Sequence, residues 1–319
     1  MNDVNDQILN DHLDDLSVVL PCYNEEKNIE ELYNRIILTI QKLKIKKYKV
    51  IFIDDGSSDK TWEKINLLKQ KNINSIIGLK LVRNFGHQLA LFAGLNLCKS
   101  KFILTMDADL QDPPELLEKM YSTILEKKVN IVLCQRSSSD EKIIKKITSK
   151  LFYYIFNIFS QTKIDNDSSD FKLFDRKVFE TLLLFKENNP FIRGIISWTG
   201  YKKSILKFER PVRKHGRSGW AMSKMINFSI DAFFGFSTLP QRISFYFSLI
   251  FFIFFVLLLL FNFYSLLTGN INYSVLNYNL IILIISLLFL ILGIITEYLG
   301  RSYNELKNRP KYLIEKILK

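Results

Sequence analysis

Apolar positions fall in short runs closed by polar turns, and most runs are followed by a stretch of helical period. Leu16-Ser17-Val18-Val19-Leu20 reads as a strand ending at Pro21. Tyr23-Asn24-Glu25-Glu26 then turns into a helix with Ile29, Leu32, Ile36 and Ile40 on one face. Tyr48 to Ile53 is a second strand, broken by Asp54-Asp55-Gly56-Ser57-Ser58-Asp59 before a helix carrying Trp62, Ile65 and Leu68. Ile76 to Val82 is a third. Arg83-Asn84-Phe85-Gly86-His87 leads from it into a helix over Gln88 to Cys98, and Lys101 to Thr105 and Val129 to Cys134 are the fourth and fifth strands. Strands alternating with helices of this length predict an α/β domain whose mostly parallel sheet is covered on both faces.

The turns after Leu20, Ile53 and Thr105 are all acidic, and the topology sets them along one edge of the sheet, where open α/β sheets bind ligands. After Thr105, Asp107 and Asp109 lie two residues apart on an extended chain, ahead of Pro113 and Pro114, which open a helix. Such a pair suits a divalent cation. Hard oxygen ligands favour Mg²⁺ or Mn²⁺, which bind diphosphates through one or two protein carboxylates; a solvated acidic turn is the plainer alternative. Glu25, Asp55 and Asp59 suit the hydroxyl and N–H donors of a nucleoside, although helix capping explains Asn24 and Asp59 individually as well. There is no Gly-x-Gly-x-x-Gly and no Walker lysine, so no glycine-rich loop is available to hold a diphosphate.

The second half of the chain changes the picture. No Lys, Arg, Asp or Glu occurs between Arg242 and Glu297, and the interval contains two apolar runs, Ile243 to Leu267 and Leu276 to Ile295. A helix of about 25 residues is roughly 37 Å long, so the runs predict a two-helix transmembrane hairpin. The stretch Arg301 to Lys319 carries six basic residues against two Glu, which by the positive-inside rule puts it and the large N-terminal part on the cytoplasmic side. Net charge +12 asks for an anionic partner. Nine Lys or Arg against one Glu between Arg193 and Lys224 favour phosphates and lipid head groups, and nucleic acid is set aside for want of any zinc-finger, RNP or helix-turn-helix pattern. Lys142, Lys145, Lys146 and Lys150 alternate with apolar residues at helical spacing. That predicts either a basic interfacial helix over 142–160 or a core-facing one. Cys22, Cys98 and Cys134 sit in or beside apolar segments without metal spacing and read as reduced core residues. No basic region followed by an apolar run opens the chain, so no signal peptide is expected.

Val19 to Glu26, Asp54 to Thr61, Arg83 to His87 and Asp107 to Glu115 together resemble the inverting GT-A glycosyltransferases. More narrowly they resemble the polyisoprenyl-phosphate glycosyltransferases, which include bacterial undecaprenyl-phosphate glucosyltransferases and dolichol-phosphate mannose synthases. The resemblance implies a Rossmann-like GT-A domain over 16–220 after a flexible leader over 1–15, and a second interfacial helix over 221–238. Membrane helices at about 243–267 and 276–298, within 239–300, and a basic cytoplasmic tail over 301–319 would follow. It implies a multi-pass protein of the inner (cytoplasmic) membrane, with self-association left open. The reaction implied is metal-dependent transfer from a nucleotide sugar, UDP-glucose or a related UDP-sugar, to a polyisoprenyl phosphate such as undecaprenyl phosphate, for cell-surface glycan modification.

Residue by residue, Asp107 and Asp109 would hold the ion and Gln111 its waters, and Asp170 matches the family's active-site aspartate. Pro21, Tyr23, Glu25, Asp55 and Asp107 would meet the donor. Arg136, Lys145 and Lys150, or the loop with Arg210, Arg213 and Arg217, would bind the acceptor phosphate, though each alone also reads as a solvated or lipid-facing charge. Phe191-Ile192-Arg193-Gly194 also matches. The family's Asp-x-Gly-Asp-Phe-Arg-Leu departs here at Ser169 and Lys172, and His87 is expected to pack or hydrogen-bond its loop. Two other functions stay in view. A polysaccharide synthase of the same fold would want more spanning helices and a Gln-x-x-Arg-Trp motif, and a non-catalytic scaffold would want the carboxylates gone; neither condition is met.

Overall fold

The computed structural model describes residues 14–137, 168–185, 187, 190–209 and 273–319, with isolated positions 253, 256, 257 and 260. Strands β1 (Asp14–Cys22), β2 (Tyr48–Asp54), β3 (Ile76–Leu81) and β4 (Ser100–Thr105) form its parallel centre. With β5 (Ile131–Ser137), β6 (Ser168–Asp175), β7 (Lys203–Glu209) and β8 (Ile314–Leu318) they make one eight-stranded sheet ordered β7-β5-β6-β4-β1-β2-β3-β8. The chain leaves β1 for β2 on one side and reaches β4 on the other, so β1 and β4 flank the switch point where such sheets open a crevice. Pairing is parallel again at β5–β7 and antiparallel at β3–β8, β4–β6 and β5–β6. The antiparallel β6 matters most for the site, because it brings its N-terminal end to the C-terminal end of β4.

Successive side chains of a strand point to opposite faces, and here both faces are buried. Val18, Leu20, Val50, Phe52 and Leu104 face helices α1 (Ile29–Lys42), α2 (Thr61–Lys71) and α4 (Leu116–Glu126). Val19, Ile51, Ile53, Leu79 and Ile103 face α3 (His87–Leu95), α5 (Arg176–Leu184) and α6 (Ile192–Trp198). Pro21 lies inside β1 rather than at its end. Its ladder toward β4 stops at Val19–Thr105, so the missing N–H forfeits no bond, while Cys22 still accepts from Asp55 N at 2.9 Å on the β2 side. The strand also takes in Asp14 and Asp15, whose N–H groups donate to Lys99 and Lys47 carbonyls. All three cysteines are buried and none forms a disulfide.

The C-terminal region departs from expectation. The second apolar run lies in one continuous helix, α7 (Tyr273–Leu306), of 34 residues. Among the described residues no helix is long and apolar enough to cross a membrane. The expected transmembrane hairpin, and with it the multi-pass inner-membrane placement, is therefore corrected. Absence of charge is a weaker condition than a continuous apolar helix: the uncharged interval contains Asn262, Asn277 and Asn279, and α7 takes in Glu297, Arg301 and Glu305. The first run, at 243–267, lies outside the described residues but for four positions; residues 1–13 of the leader expected over 1–15 and the expected interfacial helices at 142–160 and 221–238 lie wholly outside them. Residues expected in a basic tail instead form β8, which lies antiparallel along β3 and ion-pairs Lys80 with Glu315 at 2.9 Å.

Candidate active site

At the C-terminal edge of the sheet, the turns after β1 and β2 are laced together. Asn24 sits in the left-handed region at φ 57°. Its N–H donates to Ser57 Oγ at 2.9 Å, while its side-chain oxygen accepts from Ser58 N at 2.9 Å. Glu25 N donates to Thr61 Oγ1 at 2.8 Å, and the buried Glu25 carboxylate accepts from Asn28. Asp59 accepts from Glu26 N and Thr61 N, joining the first turn to the start of α2. Asp54, fully buried at the end of β2, accepts from Ser57 N at 3.0 Å. Asp55 reaches the other way: its carboxylate accepts from Phe85 N at 2.8 Å and Gly86 N at 2.9 Å, fixing the loop from β3 into α3. Burial pushes the Asp55 carboxyl up, against the pull of those two N–H groups. Gly56 lets the loops meet, since a Cβ there would come 2.4 Å from the Arg83 carbonyl carbon.

Beyond β4 the chain folds back on itself. Asp107 N donates to the buried Asp112 at 3.1 Å, Gln111 N donates to Asp109 Oδ1 at 3.1 Å, and Leu110 between them is left-handed at φ 62°. Arg35 on α1 forks onto Glu115 with both bonds at 2.8 Å, anchoring the far end of this turn. Asp107 is partly exposed at the edge and Asp109 is buried beside it. Among the described residues no group of three or more His, Cys, Asp or Glu side chains gathers as a metal cluster. Two hard carboxylates at a cleft edge fit an ion of the magnesium class, which takes its other ligands from water and a bound diphosphate.

The centre of the site is Asp170, near the start of β6. The β4–β6 register sets Thr105 opposite Lys172, and Thr105 Oγ1 donates to the Asp170 carbonyl at 2.6 Å. The Asp170 carboxylate is buried and accepts from three side chains, with His87 in ion-pair range. Lys172 Nζ reaches Oδ1 at 3.0 Å and Gln88 Nε2 reaches Oδ2 at 3.0 Å. Arg193 forks onto both oxygens at 3.1 and 2.9 Å. His87 Nε2 lies 3.4 Å from Asp170 Oδ2 and equally 3.4 Å from Asp107 Oδ1, bridging the two acidic elements. Burial alone would raise the Asp170 carboxyl; the Arg193 and Lys172 charges and the bonds from His87 and Arg193 overcome it and hold the group well below the usual carboxylate range. His87 shows the converse. Burial opposes its charge, but Asp107 and Asp170 push its pKa up to about 9. Lys172 is held below the ordinary lysine value, burial outweighing the attraction of Asp170.

The model of glycosyl transferase family 2 matches residues 17–183. A glycosyltransferase of Synechocystis sp. of uncharacterized role is 36% identical over 94% of this chain and 94% of its own. The chain belongs to glycosyl transferase family 2. The SfII prophage-derived bactoprenol glucosyl transferase of Shigella flexneri is 35% identical over 94% of this chain and 97% of its own length. A prophage bactoprenol glucosyl transferase homolog of Escherichia coli is 35% identical over 95% and 99%.

Within this family 2 domain, Pro21, Tyr23, Glu25, Asp55, Asp107, Asp109, Gln111 and Asp170 all fall on the C-terminal edge of the sheet or the loops above it. Asp55 spends its carboxylate on the β3–α3 loop. Arg136 lies on β5, paired in register with Phe208, while Lys145, Lys150, Arg210, Arg213 and Arg217 lie outside the described residues. Sequence reasoning missed the partners of Asp170. The signal available was Lys172 itself, a charge between Phe171 and Leu173 in an apolar strand, since a lysine so placed needs a buried carboxylate within reach. Gln88 carried no such signal.

Proposed function

We propose that this glycosyltransferase moves a sugar, with inversion, from a nucleotide sugar, a UDP-sugar such as UDP-glucose, to a polyisoprenyl phosphate. The observation carrying the acceptor class is the state of Asp170. A carboxylate held ionised by Lys172 and Arg193 is a weak base, poorly matched to taking a proton from a sugar hydroxyl. A phosphate monoester, with a second pKa near 6, is already mostly ionised at pH 7 and needs positioning instead. The bactoprenol glucosyl transferases among the relatives support the same acceptor.

On this reading Asp107 and Asp109 would hold Mg²⁺ or Mn²⁺, with Gln111 orienting its waters, and the bound ion would neutralise charge on the leaving diphosphate. Pro21, Tyr23 and Glu25 line the donor side. Asp170 keeps Arg193 and His87 oriented at the cleft, and Arg136, with Lys145, Lys150 and the Arg210, Arg213 and Arg217 loop, meets the acceptor phosphate. The test offers purified protein a panel of nucleotide sugars with polyprenyl phosphate and follows the lipid-linked sugar. Transfer should require divalent metal and fall by orders of magnitude in Asp109→Asn with the fold intact. A growing glycan that accepts the sugar as well as the lipid phosphate does would overturn this in favour of a polysaccharide synthase.

A further inference from the structure

The groups that grip Asp170 come from separate elements: His87 and Gln88 from the start of α3, Arg193 from the start of α6. A third piece of chain joins them from behind. Lys311, just ahead of β8, donates from Nζ to the Phe185 carbonyl at 3.1 Å and sets its ammonium 4.4 Å above the Phe92 ring. Phe92 is on α3. Phe185 begins the segment leading to α6 and meets Trp198, at the other end of α6, edge-on at 5.6 Å. Tyr312 packs on the same apolar cluster and accepts from Asn96 Nδ2, at the C-terminal end of α3, at 3.2 Å. Val82 N donates to the Leu313 carbonyl at 3.0 Å, and β8 pairs with β3 up to Leu81, five residues before the loop delivers Gly86 and His87.

We infer that Lys311 is a positioning residue for the transfer reaction, a staple between Phe92 of α3 and Phe185, which packs on Trp198 of α6, and that it keeps His87, Gln88 and Arg193 converged on Asp170. This rests on the functional reading above for its kinetic test and on geometry alone for its structural one. Lys311 is partly buried among these groups. Burial pulls its ammonium below the usual lysine value while Glu187 and Glu305 pull the other way, so its charge is partly desolvated. The residue touches none of the reacting groups. Its loss should therefore act through geometry, where displacements of an ångström cost heavily.

The test compares full-length wild type with Lys311→Met, which keeps the stem and loses the donor, Lys311→Arg, which keeps both charge and donor, and Tyr312→Phe, which removes only the bond to Asn96. Turnover per folded enzyme should fall about tenfold in Lys311→Met with donor KM changed less than about twofold. Lys311→Arg should restore it, and Tyr312→Phe should show the same split in weaker form. Hydrogen exchange in the same samples should quicken at residues 86–90 and 190–194 while α1 keeps its protection. Unchanged exchange at those two segments, uniform quickening that includes α1, or an activity loss matching the unfolded fraction would each overturn the staple. If wild type moves no sugar to polyprenyl phosphate while Lys311→Met still loosens both segments, the acceptor reading falls and the staple stands.

Discussion

Asp170 shows what a buried carboxylate demands of its neighbours. It is 4% exposed, and Lys172, its nearest cation in sequence, is 2% exposed, so neither charge can turn to water if the other is removed. Breaking a buried pair by deleting one partner costs about 3–5 kcal/mol, whereas replacing both with uncharged groups is often near neutral. Asp170→Asn should therefore lower the urea midpoint strongly, and Asp170→Asn with Lys172→Met should recover a large part of the loss; additive losses would mean that Arg193 alone compensates Asp170. His87 gives a pH test on the same cluster. Its folded pKa of about 9 stands above the ordinary value of 6.5, so its stabilising contribution is complete below about pH 6.5 and is lost as pH rises through 9. In chelator, melting temperature should decline between those pH values more in wild type than in His87→Gln, and parallel declines would remove the charged His87 bridge.

Elements differ in how far the sequence discloses them. The central strands were legible because Val18, Val19, Leu20 and Val50 to Ile53 are apolar on both faces, which only a sheet covered twice requires. The strand β8 was not: its residues are mostly exposed, Glu315 and Lys316 interrupt its apolar positions, and its partner β3 lies far away in the chain, so no local pattern distinguishes it from a charged tail. The seating of α3 was equally hidden. Gly94 lies flat on the sheet, and a Cβ there would come within 2.4 Å of Ile53 Cδ1 and 2.6 Å of Val19 Cγ1, both on buried side chains. Overpacking of this kind costs about 1–3 kcal/mol. Gly94→Ala should lower the denaturant midpoint accordingly, and Ile53→Val, which trims the closer neighbour, should relieve part of it; a neutral Gly94→Ala would mean that α3 can lift without cost, against the fixed placement of His87 and Gln88.

The whole molecule combines a finely tied acidic edge with a large excess of positive charge. Asp107 and Asp109 were legible as a carboxylate pair after a strand, and Asp170 through the family resemblance; the side chains meeting Asp170 were not, because Gln88, Lys172 and Arg193 lie far apart in the chain or on another element and converge only in the fold. Net charge of +12 acts over a longer range than these contacts, drawing an anionic acceptor toward the protein without selecting it. The two contributions separate by ionic strength. Screening length falls from about 10 Å at 0.1 M salt to about 3 Å at 1 M, which removes attraction from distant lysines and arginines and leaves contacts of 3 Å inside a buried cluster largely intact. Raising salt over that range should therefore increase the KM for polyprenyl phosphate several-fold while kcat holds. A fall in kcat at constant KM would instead mean that screened charges act within the site itself. In that case Arg193, partly exposed at the cleft, would be the first residue to substitute, with Arg193→Lys testing whether its forked hold on Asp170 or its charge alone sustains turnover.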